Sequence, residues 1–162
     1  MRKESCSNQL RLENSLIEQV QLSPACRDAI VKVLRSLQKV HSKPEVTERI
    51  KQQVGCDIRD QTSADRGGES MDCWHIVVLA GLRLGCNYTY DQLQDLAENH
   101  IKLRAIMGIG DWNEYAKFNE QTIRDNLCRL SPQTINEIIE LFRVEGHKIR
   151  PSSIERFHQN SS

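Results

Sequence analysis

The sequence predicts an all-α protein: a helical bundle with a helix-turn-helix-like segment and a flexible N-terminal arm. Three observations predict it. Cys73 to Gly85 is almost wholly apolar, the signature of a helix enclosed on every side. The segments around it space their apolar residues three and four apart, as one-sided helices do. No stretch alternates polar and apolar residues convincingly enough to read as a strand. The chain has 162 residues, enough to bury a core, and its low aromatic content of 5% leaves Leu, Ile and Val to fill it.

Residues 1–22 show no clean period and read as an arm, although Leu16, Ile17, Val20 and Leu22 could pack down. The first firm element is expected to begin at Ser23-Pro24, a capping serine followed by a residue pre-shaped for the first helical turn. Ala29, Ile30, Val33, Leu34, Leu37 and Val40 then mark one apolar face, while Arg27, Lys32, Arg35 and Lys39 occupy other faces. Pro44 restarts a shorter helix through Val46, Ile50 and Val54 that should end near Gly55, completing a helical hairpin over 23–55. Residues 56–70 are polar, contain Gly67-Gly68 and read as a flexible linker.

A helical domain is expected over 71–148. Asp72 can cap its core helix, in which Trp74 is a packing anchor and His75 and Arg83 mark the exposed edge. Gly85-Cys86-Asn87 ends that helix, and Thr89 caps the next, with Tyr90, Leu93, Leu96 and Ala97 inward. Asn99-His100 breaks the pattern before Ile101 to Met107. Asn119 caps a helix with Ile123, Leu127 and Leu130 inward, and Ser131-Pro132 starts a last one through Ile135, Ile138, Ile139 and Phe142 to a stop at Gly146. Residues 149–162 read as a disordered tail.

Net charge is zero but unevenly spread. Residues 1–50 hold nine Lys and Arg against six Asp and Glu, a surplus of +3. Residues 72–149 hold eight against eleven, a deficit of −3, which argues against strong DNA binding by this chain alone. The six cysteines form no C-x-x-C pair and have no histidine at ligand spacing, so neither zinc nor a disulfide is expected. The first ten residues lack the apolar centre of a signal peptide. The apolar run Ile76 to Ala80 falls far short of the roughly 20 residues of a membrane span. A soluble, cytoplasmic protein is expected.

Enzymatic chemistry finds little footing. Asp91 and Asp95 stand one helical turn apart, and Glu137 and Glu140 are close in sequence; both pairs read as solvated helix faces. The histidines form no H-E-x-x-H, and no phosphate-binding glycine loop is present. No cofactor, metal or small-molecule ligand is indicated. For DNA, the candidate is the pair 89–107 and 119–130, whose second helix would face base edges with Asn119, Gln121, Thr122, Arg124 and Asp125, followed by Arg129. The connector 108–118 is longer than the usual turn of such a pair. Lys32, Arg35 and Lys39 form a second surface, suited to phosphates.

Several stretches in series resemble insertion-sequence transposases of the DDE type, in the loosely classified ISNCY group. They are Gln21-Leu22-Ser23-Pro24 with Arg27-Asp28, Met71 to Gly85, and Tyr90 to Ala97. Leu103 to Gly108, Gln121 to Leu127, Leu130-Ser131-Pro132 and Glu145-Gly146-His147-Lys148 continue the series. The resemblance implies a helical front region that helps bind the element's terminal inverted repeats. A ribonuclease-H-like domain would follow it, with acidic residues holding magnesium for strand cleavage. The sequence departs from the family after Lys148, which implies a truncated module without catalytic activity of its own. Its implied partners are transposon-end DNA and full-length transposase or a second copy. The alternative is a protein-interaction fragment, or a remnant, with no affinity for DNA.

Overall fold

A computed structural model describes residues 17, 20–22, 28–61, 71–109, 118–146, 149 and 151–159. In chain order the helices are α1 (Ala29–His41), α2 (Pro44–Gln61), α3 (Cys73–Cys86), α4 (Tyr90–Asn99) and α5 (Ile101–Ile106). They continue as α6 (Glu120–Cys128), α7 (Pro132–Val144) and α8 (Pro151–Gln159). The described residues contain no strand, and the fold is an all-α bundle.

The bundle is built around α3. Trp74, Ile76 to Leu82 and Leu84 are all buried, apart from the glycine contributing side chains to every side. Helices α1, α2, α4, α6, α7 and α8 all pack on it, so a segment apolar on all faces finds apolar partners on all faces. Gly81 leaves room for Phe142 of α7: an added Cβ would lie 2.6 Å from Phe142 Cζ. The Trp74 indole Nε1–H donates to the Ile106 carbonyl at 2.9 Å, which ties α3 to the end of α5 while the ring stays in the core. Helices on both sides of 62–70 share this one hydrophobic core.

The helix starts are set locally. Asp72 accepts from the Trp74 backbone N–H at 2.8 Å, and Ser131 accepts from that of Thr134 at 3.2 Å, with Pro132 first in α7. Thr89 and Gln92 satisfy each other's backbone in a reciprocal pair at 2.9 and 3.3 Å. His100 closes α4 and opens α5, its Nδ1 accepting from the Leu103 N–H at 3.1 Å. Asn87, at φ 60°, ends α3 in the left-handed conformation that asparagine tolerates.

Ile17, one of the arm residues read as able to pack down, lies in the core, and the Gln38 amide donates to the carbonyls of Ile17 (3.0 Å) and Val20 (2.7 Å), which pins the end of the arm to α1. The rest of the arm and Ser23-Pro24 lie outside the described residues. Four expectations are corrected. Helix α1 starts at Ala29, because Asp28 has extended backbone angles. Helix α2 runs through Gly55 to Gln61: Ile58 continues the apolar stripe of Ile50 and Val54, and that burial outweighs a glycine cost of about 1 kcal/mol. Residues 62–70 of the expected linker lie outside the described residues. Arg83 is 2% exposed rather than at the edge, since its guanidinium finds aromatic rings and a carbonyl inside. The tail forms α8, because Phe157, 3% exposed, has a place against α3.

Candidate nucleic-acid interface

Helix α6 packs on α4 and α3, turning Ile123 and Leu127 inward. Its outward residues are already engaged with one another. Asn119 spends its side-chain oxygen on the Gln121 backbone N–H at 2.8 Å. Gln121 Nε2 donates to Asp125 Oδ1 at 2.8 Å, and Arg124 Nη2 donates to Glu120 Oε1 at 2.8 Å. Arg124 also lies 5.1 Å from the centre of the Tyr90 ring. Thr122 is half-buried, its carbonyl accepting from Asn126 Nδ2 at 2.7 Å, and Arg129 is half-buried at the C-terminal cap.

Two acids, Asp91 and Glu120, meet at this helix start. A hydrogen bond with Asp91 holds the Glu120 carboxyl above its usual pKa, with the nearby Arg124 charge working the other way. Such a carboxyl pair repels phosphate. Expected base-reading residues are thus gathered on one helix, but their polar groups satisfy each other beside two acids. The connector residues 110–117 lie outside the described residues.

Helix α1 differs in kind. Its sequence contains no Asp or Glu, and Lys32, Arg35 and Lys39 recur at three and four residue steps along one side. Val33, Leu34, Leu37 and Val40 are buried on the other. Lys32 and Lys39 are exposed and Arg35 is half-buried. The neighbouring Lys43 is drawn off to Glu145, 2.6 Å away, so it joins α7 rather than the basic row.

Among the described residues no group of three His, Cys, Asp or Glu side chains gathers where a metal ion could be held. No disulfide joins Cys56, Cys73, Cys86 and Cys128. Burial pushes the Cys86 thiol up to about 11 against the opposing effect of a Tyr88 hydrogen bond, which keeps it protonated and inert at neutral pH. No helix among the described residues is long and apolar enough to cross a membrane.

The core of the site is the stack beneath α6. Two guanidiniums lie over the Tyr90 ring, Arg83 at 4.3 Å and Arg124 at 5.1 Å from its centre, and the Tyr90 hydroxyl is 3.6 Å from Cys128 Sγ. Burial and the Cys128 hydrogen bond push its hydroxyl up to about 12 despite Arg83, so it stays a neutral phenol. This arrangement fixes α6 against α4 and offers no reacting group. Comparison of the chain with protein families, with curated proteins and with solved structures finds no match.

Proposed function

We propose that this chain serves DNA transposition as a binding module, contacting the terminal inverted repeats of an insertion element and contributing to transposase assembly rather than cutting strands. The resemblance of its motif series to DDE-type transposases suggests the process. The observation that carries the DNA contact is the row Lys32, Arg35 and Lys39 along one side of α1, a helix whose own sequence holds no Asp or Glu. Lysine and arginine on a rigid helix neutralise phosphates without reading sequence. In this reading α1 supplies the affinity. Arg124 and Gln121 contribute to base recognition only after leaving Glu120 and Asp125, which makes sequence preference modest.

The reading is tested by fluorescence anisotropy on a terminal-repeat duplex and a scrambled duplex of equal length. Substituting Lys32 and Lys39 by alanine weakens binding to both, while Arg124→Ala narrows the difference between them. Equal binding by wild type and the α1 variant removes the proposed contact.

A second reading, assembly with another protein chain, is favoured by the acidic pair Asp91 and Glu120 at the start of α6. Light scattering together with a DNA titration that stays flat would support it in place of the first.

A further inference from the structure

We propose that the face formed by α2 and α7 is a self-association surface, and that its occupant is the same face of a second copy of this chain. A groove of about 550 Å³ runs between the two helices, with Arg49 from α2 and Glu137, Glu140, Leu141 and Val144 from α7 along it. Val144 is 71% exposed, one of two large apolar side chains left open among the described residues. A single exposed valine is ordinary. This one borders a groove with room for it, and the groove's rim carries both signs of charge. Arg143, next to Val144 in sequence, lies 3.3 Å from Glu140 of the groove.

These features specify the occupant. A partner for this face must bring an apolar knob for the groove, an acid for Arg49 or Arg143 and a base for Glu137 or Glu140. One surface known to carry all three is this face itself. Turned about a twofold axis, it presents them in reversed order, the condition for a closed pair. An antiparallel crossing of two α7 helices near Leu141 sets Arg143 of each copy against Glu140 of the other and lets Val144 enter the facing groove. The residues involved are exposed or half-buried, so pairing requires no opening of the core. The pairing does not depend on the nucleic-acid reading.

Sedimentation equilibrium of the full chain over a wide concentration range tests it. The expected result is a monomer–dimer equilibrium. Val144→Glu, which places a charge in the facing groove, raises the dissociation constant at least tenfold, by about 1.4 kcal/mol on conversion. Arg143→Glu weakens the dimer, and Arg143→Glu combined with Glu140→Arg restores it, because both pairings are reversed together. Circular dichroism and thermal midpoints stay near wild type, as expected for surface substitutions. A chain that is monomeric throughout overturns the proposal. So does a dimer whose dissociation constant Val144→Glu leaves unchanged, or a double variant no tighter than Arg143→Glu.

Discussion

The Arg83 guanidinium carbon lies 4.3 Å from the centre of the Tyr90 ring, inside a core where Arg83 is 2% exposed. Arg83 Nη1 donates to the Tyr88 carbonyl at 2.8 Å, and the Phe157 ring stands 5.6 Å away on another helix. A charge on the most apolar helix thus becomes the point where α3, α4 and α8 meet. The ring faces and the carbonyl offset part of its desolvation.

Replacing the ring should therefore hurt more than replacing the charge. Tyr90→Leu leaves a buried guanidinium without its principal ring and is expected to cost about 2–3 kcal/mol. Tyr90→Phe keeps the ring and should cost under about 1 kcal/mol. Arg83→Met, apolar and of similar length, should fall well below Tyr90→Leu. Urea denaturation of the three variants checks the order. A Tyr90→Phe loss as large as that of Tyr90→Leu would move the stabilisation to the hydroxyl and its Cys128 contact.

Gly81 and Phe142 make a second test. Alanine favours a helix over glycine by about 1 kcal/mol. Here, however, the new Cβ would lie 2.6 Å from Phe142 Cζ and 2.9 Å from Cε2, on a ring held within the core. Overpacking costs about 1–3 kcal/mol, so Gly81→Ala should be destabilising on balance. Phe142→Leu in the Gly81→Ala background should cost less than Phe142→Leu alone, because the ring that clashes is gone. Strict additivity of the two changes would argue against the clash.

Asp57 clamps the far end of α2 to the start of α7. Its carboxylate accepts from the Ser131 backbone N–H at 3.1 Å and the Ser131 hydroxyl at 3.2 Å, and the Thr134 hydroxyl also donates to it. Hydrogen bonds to a charged group and an acid at a helix N-terminus act together here. Asp57→Ala is expected to cost about 2 kcal/mol, and hydrogen exchange in the first turn of α7 should accelerate. Unchanged exchange at residues 132–135 would show that α7 holds its start without Asp57.

His100 gives a pH dependence of defined sign. Its neutral ring accepts from the Leu103 N–H. Burial, and then the Lys102 charge, hold its pKa below the usual value, with a backbone hydrogen bond opposing them. As pH falls, the unfolded chain takes up the proton first. The stability tied to the neutral ring is present above about pH 6.5 and is lost as pH drops toward the folded value. His100→Asn keeps a capping oxygen that does not titrate. Denaturation midpoints of wild type and His100→Asn should therefore diverge as pH falls below about 6.5, with the wild type losing more. Parallel midpoints would place the pH dependence elsewhere.

Much of this fold is legible in the sequence because its signals are local. Asp72, Thr89, Asn119 and Ser131 cap the helices their spacing indicates, and the all-apolar segment is the central helix. What escapes is tertiary. Gly55 looks like a stop until Ile58 is seen against the core, and the tail looks disordered until Phe157 is seen against α3. Arg83 looks like an edge until Tyr90 is seen over it. On the candidate interface, the basic row of α1 follows from spacing alone. The internal pairing on α6 also has a local signal: Glu120 with Arg124 and Gln121 with Asp125 stand four apart, the distance at which helical side chains meet.

Whether α1 meets DNA is decided by the salt dependence of binding to a terminal-repeat duplex. Each phosphate contact releases counterions and contributes about 0.9 to the slope of log K against log salt. Replacing Lys32, Arg35 and Lys39 together by alanine should reduce that slope by about 2 to 3 while the fold, followed by circular dichroism, is retained. A slope identical in wild type and triple variant, or no binding by the wild type even at low salt, contradicts the assignment of α1 as the face that meets DNA.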